Sequence, residues 1–476
     1  MSTSFKIRFI LFAFVCATVI SACKKDPELP DNLVTFETNQ QGFTSTENEV
    51  TLQVKFSYPA TQSGNLLINA LLEGVVYNTE LTTDPAVNTN AITFPIAVGD
   101  AGKSFKVTKK AGALFDGDEN IKFTIAAAPT GMVLGPNPEL KLSFAEIVSA
   151  MGSSTVDGGG ATYSNRAFID LSANRQTAVP RLNWDLGFAS GAEFRVVLNS
   201  SNGMLAFKTG KNDINAVNAS DTVNLSNRFS HNAIFAAINL TEIPDWVASS
   251  ISWIDDPSGD LSKTAIAEIS ATDADNKVYI VNPGTGPGSP APALGWKKIR
   301  ILRKGNGYTL QHADIAATTF TEVSINKDDK YNFQFADFTT GVVLVEPLKD
   351  RWDISWTGFS NSTNFGTGPV PYYFQDIILQ NSYQVQTAQI LTNVITYEAF
   401  GESNLATVDF GTQNQIKIGA NWRTGGGPSG PPAIRTDRFY IIKDAGNNYY
   451  KLRFTALTSD GERGKPKFEY TLIKKG

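Results

Sequence analysis

The stretch Val50-Thr51-Leu52-Gln53-Val54-Lys55-Phe56 decides the fold class, because apolar and polar residues alternate along it with a period of two. In a β-strand this period places the apolar side chains on one face and the polar side chains on the other. Residues Ile121-Lys122-Phe123-Thr124-Ile125 alternate in the same way, and clusters of Gly, Asn, Asp and Pro separate such stretches. The sequence therefore predicts an all-β fold of antiparallel sheets, with short helices only near residues 243–250 and 388–396.

The composition excludes several classes of function. The formal net charge is −5 and no run of basic residues occurs, so binding to nucleic acid is not expected. The chain has only two histidines, and it contains neither Gly-x-Ser-x-Gly nor His-Glu-x-x-His. We therefore expect a protein that binds a ligand rather than an enzyme.

The N-terminus has the layout of a bacterial lipoprotein signal peptide. Lys6 and Arg8 precede the apolar run from Phe9 to Ile20, and Ser21-Ala22-Cys23 follows that run. We predict that residues 1–22 are removed, that Cys23 carries the lipid and that residues 23–32 form a tether. The only other cysteine, Cys16, would leave with the signal peptide.

The residues that follow Cys23, Lys24-Lys25-Asp26-Pro27-Glu28, bear on where the protein is located. They resemble the surface-export signals of Bacteroidetes lipoproteins. We therefore expect a location at the outer membrane, with the lipid as the membrane attachment and the protein exposed at the cell surface.

An internal repeat divides the rest of the chain. The pentapeptide from Trp184 to Phe188 begins Trp-Asp-Leu, and 168 residues later the pentapeptide from Trp352 to Trp356 begins Trp-Asp-Ile. Tyr279-Ile280-Val281 and Tyr440-Ile441-Ile442 lie 161 residues apart. Two nearly equal offsets indicate a duplication. We therefore predict a β-sandwich at 33–149 and two antiparallel β modules at 152–325 and 326–476.

The repeat landmarks resemble the HmuY family of Bacteroidetes lipoproteins, above all in Trp184-Asp185-Leu186-Gly187-Phe188 and in Tyr449-Tyr450-Lys451-Leu452-Arg453-Phe454. The resemblance implies two tandem HmuY-like modules. It also implies capture of haem or a related porphyrin at the cell surface, with an outer-membrane transporter as a possible partner. In the family, iron is held by axial His or Met side chains.

Few residues of this chain could serve as such ligands. The axial candidates are His231, His312 and Met204, with Arg228 as a partner for the haem propionates, since haem needs axial donors and commonly a nearby cation. The competing interpretation is a surface that binds a glycan or a protein through loop aromatics. Its candidate residues are Tyr372, Tyr373 and Trp422.

A possible cation site lies in the N-terminal region. Residues 115–123 resemble the acidic turn and the following strand of Calx-β modules, which bind Ca²⁺ in some cases. The oxygen ligands would come from Asp116, Asp118 and Glu119. A solvated acidic turn explains the same residues.

Overall fold

The structure is a computed structural model that describes residues 30–44, 47–111, 113, 119–144, 148–288, 290–366, 368–426 and 430–476. The predictions on the signal peptide, on Cys23 and on most of the tether lie outside the described residues, as do those on Asp116 and Asp118. Within these ranges no helix is long and apolar enough to cross a membrane.

The first part of the chain is a sandwich of two five-stranded sheets. Its strands are β1 (Asn32–Phe36), β2 (Gln40–Gly42), β3 (Glu49–Phe56), β4 (Gly64–Glu73), β5 (Leu81–Asp84), β6 (Ala91–Ile96), β7 (Gly102–Lys109), β8 (Asn120–Ala127), β9 (Met132–Leu134) and β10 (Glu139–Ser143). The strand orders of the two sheets are β5-β7-β3-β1-β9 and β2-β10-β8-β4-β6. The alternation that predicted the fold lies in β3, where Val50, Leu52 and Val54 are buried in the core shared by the two sheets.

The second part of the chain holds eighteen strands among its described residues, which the predicted boundary after residue 325 divides into a set of ten and a set of eight. The first set is β11 (Met151–Thr155), β12 (Asn165–Asp170), β13 (Arg175–Pro180), β14 (Leu186–Ala189), β15 (Val196–Leu198), β16 (Leu205–Lys208), β17 (Tyr279–Asn282), β18 (Lys297–Lys304), β19 (Gly307–Asp314) and β20 (Thr321–Ile325). The second set is β21 (Phe333–Asp337), β22 (Gly341–Val343), β23 (Ile354–Asn364), β24 (Pro369–Gln380), β25 (Gln386–Leu391), β26 (Arg438–Lys443), β27 (Tyr449–Ala456) and β28 (Lys467–Lys474).

These two sets exchange strands with each other. Their sheets have the orders β13-β12-β23-β24, β15-β14-β21-β22, β16-β17-β18-β19-β20 and β11-β28-β27-β26-β25. Three of the four sheets thus contain strands of both sets, whereas β16-β17-β18-β19-β20 belongs to the first set alone. The all-β fold is confirmed. The predicted modules, however, are not separate bodies, because a sequence repeat reveals a duplication but not which copy a strand pairs with.

The two Trp-Asp landmarks occupy equivalent positions in this arrangement. The Asp185 carboxylate accepts a hydrogen bond from the Phe338 amide at 2.7 Å, and the Asp353 carboxylate accepts one from the Leu171 amide at 2.8 Å. Each aspartate thereby ties its own set of strands to a hairpin of the other set.

The tryptophan rings repeat the same relation. Trp184 meets the ring of Phe335 edge-to-face at 5.0 Å, and Trp352 meets Phe168 edge-to-face at 5.1 Å. Both tryptophans are buried, as the duplication predicted. The two sets are therefore joined by a shared aromatic cluster at the centre of this part of the molecule.

The largest difference between the two sets is a helical insertion after β16. It contains helix α1 (His231–Ile238) and the short helix α2 (Trp246–Ser249), which confirms the helix expected near 243–250. The helix expected at 388–396 is wrong, because residues 386–391 form β25 and pair with β26. A short apolar run does not distinguish a strand from a helix until its pairing partner is known.

Candidate functional site

His231 lies at the first position of helix α1, where the fold holds its ring in place. Ser230 caps the helix, and its Oγ accepts a hydrogen bond from the Ala233 amide at 3.1 Å. The Nε2 atom of His231 lies 3.0 Å from Ser360 Oγ in strand β23, and the ring packs against Tyr373 of β24. The histidine therefore joins the helical insertion to the β23–β24 hairpin.

His231 forms part of the wall of a cavity of about 330 Å³, which is within the size range of small-molecule sites. Trp296 and Tyr373 also line it, together with the loop that begins at Gly284. Gly284 has a φ of 85°, and a Cβ there would lie 1.8 Å from the Asn202 carbonyl oxygen. This position therefore requires glycine, since no side chain fits between the two loops that form the wall.

Burial sets the protonation state of His231. It lowers the pKa of the imidazole to about 4, and the carbonyl groups of Pro371 and Gly203 act in the opposite direction. The ring is therefore neutral near pH 7. Its Nδ1 atom is buried and makes no hydrogen bond of ordinary geometry within the described part of the chain, although the carbonyl groups of Pro371 and Gly203 lie near the ring. A neutral imidazole with an unpartnered nitrogen suits metal coordination.

The other predicted haem ligands do not reach this cavity. Met204 is fully buried in the core with Leu186 and Phe188. His312 is a buried residue of β19, and its ring packs on Phe338 at 5.3 Å. Arg228 places its guanidinium over the Trp246 ring at 5.9 Å and is not part of the cavity wall.

These positions correct the predicted set of ligands. Met204 follows Gly203, which does line the cavity, but the Met204 side chain belongs to the core. His312 lies on a sheet strand whose side chains at 308 and 310 also belong to that core. The predicted residues therefore supply one axial nitrogen, from His231, and do not assemble a two-donor iron site.

The three aromatic residues predicted to lie in loops have three different environments, and Tyr372 and Tyr373 belong to strand β24 rather than to a loop. Tyr373 faces inward, where its hydroxyl donates to the Ser201 carbonyl at 2.6 Å and accepts from Arg181 Nη1 at 3.0 Å. Tyr372 packs at the surface against Phe235 and Phe365, with ring centroids 5.7 and 5.6 Å away.

Trp422 corrects the prediction of an exposed binding platform. It is fully buried, it stacks on Phe454 with centroids 4.4 Å apart, and its Nε1 donates to the Asp376 carbonyl at 2.9 Å. A ring held in this way cannot stack on a sugar. The neighbouring glycines had suggested exposure, but they belong to the loop and not to the residues around the indole.

The possible calcium site is described only at Glu119, next to β8. In the described part of the chain, no group of three or more His, Cys, Asp or Glu side chains could hold a metal ion. The prediction on Asp116 and Asp118 lies outside that part.

Sequence reasoning did not identify Trp296, Ser360 or Gly203 as neighbours of His231. They come from a strand edge, a hairpin and a short turn, and only the folded chain brings them together. The available signal in the sequence is the Gly- and Pro-rich stretch at 284–288, a composition typical of loops.

Comparison with known proteins gives a family for the second part of the chain. The model of the family described as HmuY protein matches residues 162–470. No curated protein matches the chain.

Several solved structures share limited similarity with the chain. The apo form of the Calx CBD1 domain has 11% identity and a TM-score of 0.21, and covers 24% of this chain and 97% of its own. A two-domain protein from Bacteroides fragilis has 9% identity and a TM-score of 0.17, and the match covers 35% of this chain and 78% of that protein. A candidate carbohydrate-binding protein from Bacteroides ovatus has 9% identity and a TM-score of 0.16, and the match covers 93% of this chain and 99% of that protein. At these values the similarities carry no functional argument.

Proposed function

Since this chain belongs to the HmuY family, we propose that it is a lipid-anchored binding protein of the outer cell surface that captures haem or a related porphyrin. The observation that carries the proposal is the position of His231, a neutral imidazole in the wall of a cavity, whose Nδ1 atom has no hydrogen-bond partner of ordinary geometry among the described residues. Family membership supports a binding role, and the chemistry of this cavity supports the choice of ligand.

The residues around the cavity fit a planar ring held through one nitrogen. Trp296 and Tyr373 offer aromatic surface for the ring, and Gly203 and Gly284 let the two loops of the wall pack closely around it. Haem would supply an iron centre that accepts the imidazole nitrogen. His231 must first release Ser360 Oγ if Nε2 is the nitrogen that binds.

A haem titration followed by absorption spectroscopy tests the proposal. We expect a shifted Soret band with the mature protein and loss of that shift in His231→Ala. His312→Ala is the matched control, since His312 is a buried histidine remote from the cavity, and it should bind as the parent does. Ser360→Ala should strengthen binding if Nε2 is the ligand, because the competing hydrogen bond is gone.

Two results would refute the proposed ligand. A Soret shift that His231→Ala leaves unchanged would remove His231 from the site. No shift in the parent protein would exclude haem and leave the second candidate. Free-base protoporphyrin separates the roles of ring and metal, because it can stack on Trp296 but cannot coordinate His231.

The second candidate is a glycan or protein surface centred on Tyr372. Phe235 and Phe365 are each 45% exposed and pack with Tyr372 as an aromatic group. Exposed aromatic rings of this kind are common at binding surfaces. Tyr372→Ala should abolish binding on a glycan array or to an outer-membrane transporter partner, whereas Trp422→Phe should retain it because Trp422 is buried.

A further inference from the structure

A second cavity lies where the two sets of strands meet, and we call it the central cleft. It has a volume of about 170 Å³ and is lined by Trp184, Trp352, Phe335, Arg166 and Glu346, with the loop at 255–264 at its side. Trp184 belongs to one set of strands and Trp352 to the other. The cleft therefore exists only because the two sets exchange strands.

The acidic side chains that line the central cleft already have hydrogen-bond donors. Asp255 accepts from the amides of Leu198 at 2.7 Å and Ala265 at 2.9 Å. Glu346 accepts from the Phe333 amide at 2.8 Å.

The two remaining acids of the loop are also engaged. Asp256 accepts from the Ser258 amide at 2.9 Å, and Asp260 forms an ion pair with Lys263 at 2.9 Å. None of the four acidic groups therefore needs a cation from a ligand.

Arg166 is in the opposite situation. Its Nε and Nη2 atoms both donate to one hydroxyl, Ser355 Oγ, at 3.3 and 3.2 Å, and its guanidinium lies 4.6 Å from the centre of the Phe168 ring. In the part of the chain that the structure describes, no carboxylate oxygen lies within ion-pair distance of it and Nη1 makes no hydrogen bond, and the charge of Glu346 acts on it only from beyond that distance. Burial lowers the pKa of Arg166 to about 10, so the group is still charged near pH 7. A cation largely removed from water is costly unless an anion pairs with it.

The two tryptophans in the wall of the central cleft also carry donors without partners. Trp184 is 3% exposed and Trp352 is 5% exposed, and neither indole Nε1, itself a buried atom, has an acceptor among the described residues. An indole N–H and a guanidinium can only donate. The wall therefore favours a ligand that brings acceptor oxygens.

We propose that the central cleft binds a small monocarboxylate with a flat apolar body. The carboxylate pairs with Arg166, which can receive it as a charge-assisted hydrogen bond. The apolar body packs between Trp184, Trp352 and Phe335, whose rings supply most of the wall. This site differs from the His231 cavity in residues, charge and ligand, and it does not depend on haem binding.

Isothermal titration of the mature protein tests the proposal with benzoate, phenylacetate, cinnamate and indole-3-acetate. The matched control for benzoate is benzamide, which has the same shape without the charge. We expect at least one of the four acids to bind and its amide to bind more than tenfold more weakly. Arg166→Met should weaken binding of the acid by about tenfold to a hundredfold, the usual range for loss of a charged hydrogen bond.

Two further variants separate this site from the rest of the molecule. Arg438→Met removes an arginine that pairs with Asp437 outside the central cleft, and it should leave binding of the acid unchanged. His231→Ala should also leave it unchanged, so failure of the haem proposal is distinguishable from failure of this one. Thermal melting of Arg166→Met establishes that the variant is folded.

The proposal is overturned by any of three results. The first is that the acid and its amide bind equally well. The second is that folded Arg166→Met binds the acid as the parent does. The third is that none of the four acids binds at millimolar concentration. Binding of a neutral methyl glycoside that Trp184→Phe abolishes would also contradict it, since the cleft would then take a sugar.

Discussion

Truncation of Trp352 to alanine tests the central aromatic cluster most directly. Trp352 is 5% exposed and its Nε1 has no acceptor, so the variant loses packing but no hydrogen bond. Large aromatic-to-alanine changes in cores cost about 3–5 kcal/mol. One side of this ring lines the central cleft, where it has fewer contacts to lose. We therefore expect Trp352→Ala to lower the free energy of unfolding by about 3 kcal/mol, the lower end of that range.

The same reasoning fixes two companion variants. Trp184 is the equivalent residue of the other set of strands and also lines the central cleft. Trp184→Ala should therefore lower the free energy of unfolding by the same amount as Trp352→Ala, within about 1 kcal/mol. Trp356 is fully buried, stacks on Tyr163 at 5.8 Å and does not line the cleft. Trp356→Ala should therefore cost about 5 kcal/mol.

Urea unfolding followed by tryptophan fluorescence measures these differences. All seven tryptophans lie at residue 184 or later, so the signal reports the second part of the chain without the N-terminal sandwich. A difference above about 2 kcal/mol between Trp184→Ala and Trp352→Ala would contradict their structural equivalence. A smaller loss for Trp356→Ala than for the other two would refute the argument from the cleft.

Three further predictions concern stability, anchoring and the strand exchange. Burial raises the pKa of Glu346 to about 7, so its folded state holds a proton that the unfolded state releases, and stability falls as the pH rises toward 8. Between pH 6 and pH 8 the free energy of unfolding of the parent should fall by about 1.4 kcal/mol more than that of Glu346→Gln, as measured by urea titration. The same pH dependence in both proteins would exclude this carboxyl as the cause. Cys23→Ala should move the protein from the membrane fraction to the soluble fraction without changing its circular dichroism, whereas retention on the membrane would contradict lipidation there. A chain that ends at residue 325 should lack the near-ultraviolet circular dichroism of a packed aromatic core, because β12 and β14 lose their partners β23 and β21, and a native-like spectrum would show that the first set folds alone.

The residue patterns predicted the strands and their buried faces better than the pairing between strands. The alternation in β3 predicts which side chains are buried, because that depends on period alone. The pairing of β12 with β23 depends on which of two similar hairpins packs there, and nothing local in the sequence states that choice.

The candidate sites show the same limit. His231 was identifiable as one of only two histidines, but its protonation state depends on burial by residues far along the chain. Arg166 sits in an ordinary strand sequence, and its lack of an ion-pair partner among the described residues follows from where the acids fold. Trp422 looked exposed beside glycines, yet Phe454 and Asp376 bury it and satisfy its indole.

The pairing of β11 with β28 has a consequence for how the chain folds. Met151 pairs with Thr471, so the first strand of this part waits about 320 residues for its neighbour during synthesis. Contacts of such long sequence separation slow folding, because a large loop must close before they form. Until β28 is made, β11 and the hairpin that follows it present open backbone edges, which are templates for pairing with other chains. The open edge of β11 is therefore closed only by the last strand of the fold.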